Sequence, residues 1–219
     1  TGTILGFRFN DGGDKLKINK INHWGDLNVG NNQAYFYGCS NLNSTATDNL
    51  NLIGTTNLYM MFGNAAAFNG NISGWNTSSV TMMWGMFEGA TAFNQPIGGW
   101  DTSQVVYMPG MFKSAIAFNQ SLANWNTSKV TEMNQMFMDA TTFNQNISSW
   151  DTSQVTTMSS MFEGATTFNQ PIGGWDTSQV TSMSAMFMDV IAFNQNISNW
   201  NIINVTSMYM MFRNATNFN

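Results

Sequence analysis

Few side chains in this sequence belong to the usual catalytic or metal-binding types. His23 is the only histidine and Cys39 the only cysteine among 219 residues. No Ser, Asp or Lys recurs with His23 in a pattern that would make a triad, and no phosphate-binding loop is present. A single cysteine supports neither an internal disulfide nor a Cys-based metal site. Its surroundings, YFYGCSNL, place it near a core position as a buried, inert thiol, with an intermolecular bridge as the alternative. Trp24 suits the interior of a first coil, which leaves its neighbour His23 at the surface. The remaining candidates are carboxylates at regular intervals, Asp101, Asp151 and Asp176, each following a tryptophan. They would suit calcium were it not that Asn76, Asn126 and Asn201 hold the same place in other copies. Asparagine replaces aspartate as the acceptor of a local turn but weakens a site built on charge, so a structural turn is the expectation. No catalytic residue, cofactor or metal is expected from these patterns.

The elements that must position these side chains are copies of one unit. FNQNISSWDTSQVTTMSSMFEGATT, from Phe143, is followed at once by FNQPIGGWDTSQVTSMSAMFMDVIA, and the pattern continues in both directions at a period of 25 residues. A unit of this size cannot bury its own apolar positions and must stack on its neighbours. The expected core columns include Phe93, Trp100, Val105, Met108, Met111 and Phe112 in one copy. Phe143, Trp150, Val155, Met158, Met161 and Phe162 are their counterparts two copies on. Exposed tryptophans at this interval would form a carbohydrate platform, but their fixed distance from Ile97, Leu122 and Ile147 points to burial. Asn94, Asn119, Asn144, Asn169 and Asn194 form a polar column. It reads as a ladder of side-chain amides clamping coil to coil rather than a recognition surface, because a recognition surface varies along its length.

The threonine rows at Thr77, Thr102, Thr127, Thr152 and Thr177 and at Thr81, Thr131, Thr156, Thr181 and Thr206 raise ice binding as an alternative. They sit around an expected helix start and not on a flat strand face, which argues against it. Sequons such as Asn71-Ile72-Ser73 are expected by chance in so Asn-, Ser- and Thr-rich a chain.

Charged residues make up 9% of the sequence, with a net charge of -5 and a pI near 4.5. An acidic, sparsely charged surface argues against a phosphate backbone as partner, so nucleic acid is not expected. No apolar run is long enough to cross a bilayer as a helix. Both ends look cut, and truncation at the C-terminus is the expectation.

Within a unit, Val155, Met158, Met161, Phe162 and Ala165 fall at i, i+3, i+6, i+7 and i+10, the spacing of one face of a short helix. Thr152 and Ser153 would cap its start and the column of Gly164, Gly89, Asp139, Asp189 and Asn214 would end it. A short strand is expected near Gln145 to Ser148, stacked on its equivalents at about 4.8 Å. Residues 1–35 fit the repeat poorly and read as an N-terminal cap. Its parts would be a strand from Ile4 to Phe9, a hairpin-like turn at Asp11 to Gly13, and a second strand near Leu16 to Ile21. Residues 36–219 would form about seven 25-residue coils. In the degenerate early coil, Tyr37 aligns with Phe62, Leu50 with Trp75, and Leu58 with Met83.

FNQPIGGWDTSQVVYMPGMF, from Phe93 and again in each later unit, resembles the repeat of the BspA-like surface proteins of the leucine-rich-repeat superfamily. The match covers roughly residues 22–219, with HWGDLNVGNNQAYFYGCSNLN similar to that family's first coil. The resemblance implies an α/β fold, a right-handed leucine-rich-repeat-like solenoid with short parallel strands and short helices. It also implies an extracellular or cell-surface protein with an adhesive or uncharacterised role, and it does not imply an enzyme. The expected function is a non-catalytic adhesion or display module binding a host or matrix protein or a glycan. The alternative is a structural subunit that stacks on itself end to end into a filament or sheath.

Overall fold

The computed structural model of the chain describes residues 7–219, so the first half of the strand expected from Ile4 to Phe9 lies outside the described residues. Phe7 to Phe9 carry no strand. Across the described residues the chain winds into an open solenoid. The only named strands are β1 (Lys20–Ile21) and β2 (Asn43–Ser44), which pair in parallel with Lys20 opposite Asn43. Beyond them the isolated bridges are parallel, Asn28 to Asn51 in the early part and then one per coil at Asn57, Met82, Tyr107, Glu132, Thr157, Ser182 and Ser207. Spacing of 25 residues in the later bridges is the structural counterpart of the sequence period.

No helix forms among the described residues, which corrects the helical reading of Val155 to Ala165. Two positions in every coil have positive φ: Ser160 at 56° and Gly164 at 68°, Gln135 at 59° and Asp139 at 57°, Ala185 at 55° and Asp189 at 61°. A left-handed residue every fourth position is incompatible with a right-handed helix. The segment is instead a run of tight turns in which backbone donors alternate. Met161, Glu163 and Ala165 donate to carbonyls three residues back, at 3.1, 3.2 and 2.8 Å. Met158, Ser160, Phe162 and Gly164 donate to the next coil, onto Ser182, Ser184, Met186 and Met188 at 2.8–3.0 Å. Every amide of the run is thus satisfied, half locally and half across the stack.

The strand expected at Gln145 to Ser148 is also absent, and pairing occurs instead at Thr157. Side chains explain the difference. Near Asn144 the coils are joined by an asparagine side chain and not by a backbone ladder, as described below.

The interior is a continuous aromatic spine. Phe162 and Phe168 stack within one coil at 3.9 Å, and Phe162 stacks on Phe137 and Phe187 at 5.7 and 5.8 Å. Trp100, Trp125, Trp150 and Trp175 are each 3% exposed, and Val105, Met108, Met111, Phe112, Phe93, Phe143, Val155, Met158 and Met161 are fully buried. Full burial of such side chains stabilises by roughly 1.5–3 kcal/mol each, which offsets the ordering of a backbone with so little regular structure.

The N-terminal segment stacks on the next coil directly. Phe9, Asn10 and Asp11 donate to the carbonyls of Tyr35, Ala34 and Tyr37, in the direction used by later coils. The expected hairpin is replaced by the parallel β1–β2 pair. The early register also shifts by one residue: Phe36, not Tyr37, stacks on Phe62, at 5.6 Å and 8°. Phe36 is buried while Tyr37 keeps partial exposure. The interval from Phe36 to Phe62 is therefore one residue longer than the period.

Candidate interaction surface

Each coil has a half that repeats and a half that varies. In the repeating half, the side-chain carbonyl of Asn144 accepts from the backbone amide of Asn169 at 2.9 Å and from the side-chain amide of Gln170 at 2.9 Å. The same pair of bonds joins Asn69 to Asn94 and Gln95, Asn94 to Asn119 and Gln120, Asn119 to Asn144 and Gln145, and Asn169 to Asn194 and Gln195. The indole N–H of Trp150 donates to the carbonyl of Leu122 at 3.1 Å, and four other tryptophans of the column do likewise. A tryptophan so buried and so bonded offers no sugar platform. Thr152 is 1% exposed and its hydroxyl donates to the carbonyl of Asp176 in the next coil at 2.8 Å. It therefore serves as a coil-to-coil tie and not as a helix cap.

Asp101, Asp151 and Asp176 accept from the backbone amides of Ser103, Ser153 and Ser178 at 2.9–3.0 Å, and Asn76, Asn126 and Asn201 make the same turn at 3.1–3.2 Å. The hydroxyl and then the amide of Ser103 hold the Asp101 carboxyl below its usual range. For Asp176 the amide of Ser178 leads and its hydroxyl follows. Asp48 accepts from the amides of Trp24 and Gly25, at 3.0 and 2.7 Å, and these lower its pKa too. These carboxylates are spent on backbone amides. His23 is exposed, with Nδ1 3.9 Å from Asp48, and Trp24 beside it is buried edge-on against Trp75. Cys39 is fully buried, and burial pushes its thiol up to about 12. Among the described residues no group of three or more His, Cys, Asp or Glu is arranged to hold a metal ion, and no helix is long and apolar enough to cross a membrane.

The varying half is the bridge and the turn run after it. At the bridge the side chains are Asn57, Met82, Tyr107, Glu132, Thr157, Ser182 and Ser207. Two positions on they are Tyr59, Trp84, Pro109, Asn134, Ser159, Ser184 and Tyr209, and six on they are Gly63, Glu88, Lys113, Met138, Glu163, Met188 and Arg213. The early part of this face is aromatic. Tyr59 packs edge-on against Trp84 at 5.7 Å and 78°, and Trp84 and Tyr107 stay 43% and 38% exposed. Lys113 pairs with Glu88 across adjacent coils at 3.1 Å. None of these residues stood out in the sequence, where attention to columns of identical residues hid the columns that differ. Trp84 was the available signal, being outside the 25-residue tryptophan register.

This arrangement defines a repeat protein, an open solenoid with coils clamped by side-chain amides. The chain belongs to the family described as "Mycoplasma protein of unknown function, DUF285", whose model matches residues 7–123, 56–157 and 143–219. No curated protein matches the sequence.

Proposed function

We propose that this solenoid is a non-catalytic adhesion or display module, exposed at a cell surface or secreted, which binds a protein or glycan through its bridged face. The likeness to BspA-like surface proteins points the same way, and so does a carboxylate set occupied with backbone amides. The carrying observation is that the widest change in side-chain chemistry from coil to coil falls on one face, at the bridge and the turns after it. Positions that hold the fold together repeat from Phe68 to Asn219, while the bridge and the turns after it carry Tyr, Trp, Glu, Lys, Asn and Ser in turn. Extended repeat surfaces bind by summing weak contacts over many coils, and specificity requires those contacts to differ.

Arrays of extracellular matrix proteins and of glycans, probed with the purified chain, test this reading. Retention that is lost when bridged-face side chains are replaced supports adhesion. No retention on either array counts against it. The second reading is end-to-end self-stacking into a filament or sheath. Filaments that lengthen with concentration in electron micrographs would favour that reading over the first.

A further inference from the structure

We infer that Trp84, Gly85, Gly110 and the Glu88–Lys113 pair form a binding site for a neutral saccharide, an inference that rests on the adhesion reading above and names its ligand class. Eight tryptophans are present and Trp84 is the one with a large exposed surface. Its position is filled by Ser159 and Ser184 in later coils, so the fold does not require an indole there. Tyr59 packs edge-on against the ring and holds it. An exposed, immobilised indole offers a flat apolar surface of the kind the C–H face of a pyranose covers, at little entropic cost.

The next position along the chain is glycine in this coil and in the one after it. Both glycines have positive φ, 59° at Gly85 and 57° at Gly110. A Cβ built on Gly110 would meet only Glu88 Oε2 and Lys113 Cβ, each at 3.8 Å, so the surface over Gly110 in the next coil is open. At Gly85 a Cβ would run into the Met60 thioether and lie 3.4 Å from Glu88 Oε2, so the sulfur fills this part of the surface and the carboxylate runs along its edge. Glu88 and Lys113, 3.1 Å apart and 28% and 29% exposed, supply an acceptor and a donor side by side. Two neighbouring ring hydroxyls are recognised by that combination, one donating to the carboxylate and one accepting from the ammonium. Charge decides between ligands. The pair cancels its own charge, so a neutral ligand joins it intact, whereas an anion or cation would have to break it.

The test is titration of the intact chain with neutral hexasaccharides (cellohexaose, laminarihexaose, mannohexaose, xylohexaose and chitohexaose) and with a polygalacturonate oligomer as anionic control. Tryptophan fluorescence and calorimetry are the readouts. At least one neutral series is expected to bind saturably and shift the emission, with the anion weaker. Trp84→Ser, which copies Ser159, is expected to remove the emission change and weaken binding at least about tenfold at an unaltered melting temperature. Glu88→Met with Lys113→Met, copying Met138 and Met188, is expected to weaken it as well. The inference is overturned if no neutral saccharide binds saturably, or if Trp84→Ser binds as tightly as the parent. In that event a matrix protein still retained on the array keeps the adhesion reading alive, and its loss on Trp84→Ser would assign the face to a protein. Silence in both assays removes both.

Discussion

The two halves of each coil solve different problems with the same backbone. From Phe168 to Val180 the side chains of Asn169, Gln170, Trp175 and Thr177 fix how one coil sits on the next, while Asp176 closes a turn within its own coil. From Thr157 to Gly164 backbone bonds make most of the polar links between coils, with a Ser159–Ser182 hydroxyl contact at 2.7 Å beside them, and the outward side chains are freer to vary. Tolerance of sequence change therefore follows which atoms make the inter-coil bonds. Where they belong to side chains the residue is fixed, and where they belong to the backbone it is free.

Truncating the spine breaks this contrast most severely. Phe137 is fully buried between Phe112 and Phe162, at 5.6 and 5.7 Å, and stacks on Phe143 at 3.9 Å. Phe137→Ala is expected to cost about 3–5 kcal/mol in urea unfolding, because the cavity touches three coils that can each relax only partly. Trp84→Ser, on the free half, is expected to stay within about 0.5 kcal/mol. Equal losses would abolish the division between the halves.

The amide ladder sharpens the contrast within the polar residues. Asn144→Ala leaves the amide of Asn169 without its acceptor and the side chain of Gln170 with only the backbone carbonyl of residue 144, an expected loss of about 1–3 kcal/mol by chemical denaturation. Asn144→Asp keeps an acceptor and is expected to lose less at neutral pH. Asn134→Ala, the same change on the bridged half, is expected to be nearly silent. An Asn144→Ala variant as stable as the parent would make the ladder ornamental.

How far the sequence reveals this arrangement depends on the same division. Phe, Trp, Val and Met columns are legible because each fixed position has one chemical task and repeats it. The run of turns is not legible, since Val155, Met158, Met161, Phe162 and Ala165 present the same intervals to a core whether wound as a helix or as successive turns. Only φ separates the two, and the left-handed positions hold Ser160, Ala185, Gln135 and Met210, residues that do not announce it. Gly164 and Asp139 do announce it, but as the end of a helix and not as one of two interruptions. The strand near Gln145 was misplaced because an asparagine side chain occupies the bonding role that a strand would need. The interaction face was hidden for the opposite reason: repetition drew the eye to what holds the fold together, and Trp84 lies outside it.

A smaller effect separates turn from metal site. Hydrogen bonds from Ser178 lower the folded pKa of Asp176 below its unfolded value near 3.8. Stability from this turn is therefore present above the unfolded value and lost as pH falls through the lowered folded one. The carboxylate is exposed, so solvent weakens the contribution. Asp176→Asn, which copies Asn126 and Asn201, is expected to keep the melting temperature within about 1 °C at pH 7 and to flatten its decline in acid. Millimolar calcium is expected to leave both proteins unchanged. Calcium-dependent stabilisation of the parent alone would turn this column from structure to site.

The smallest expected effect lies where the early coil departs from the later ones. Cys39 donates to the carbonyl of Phe36 as Ala65 does to Phe62, and both are fully buried. Cys39→Ala therefore writes into the early coil the residue that regular coils already use, and stability near neutral pH is expected to change little. Alkaline pH separates the two proteins. Burial, partly countered by the charge of Lys15, raises the thiol to about 12 from an ordinary 9.0. The unfolded chain then ionises first, so the contribution of the thiol is complete below pH 9 and falls away as pH climbs toward 12. The parent is expected to lose stability across that interval while Cys39→Ala does not, and an aromatic disulfide reagent at pH 8 is expected to react no faster than the protein opens. Prompt labelling of the native chain would mean that the coil holding Cys39 is looser than those built on alanine.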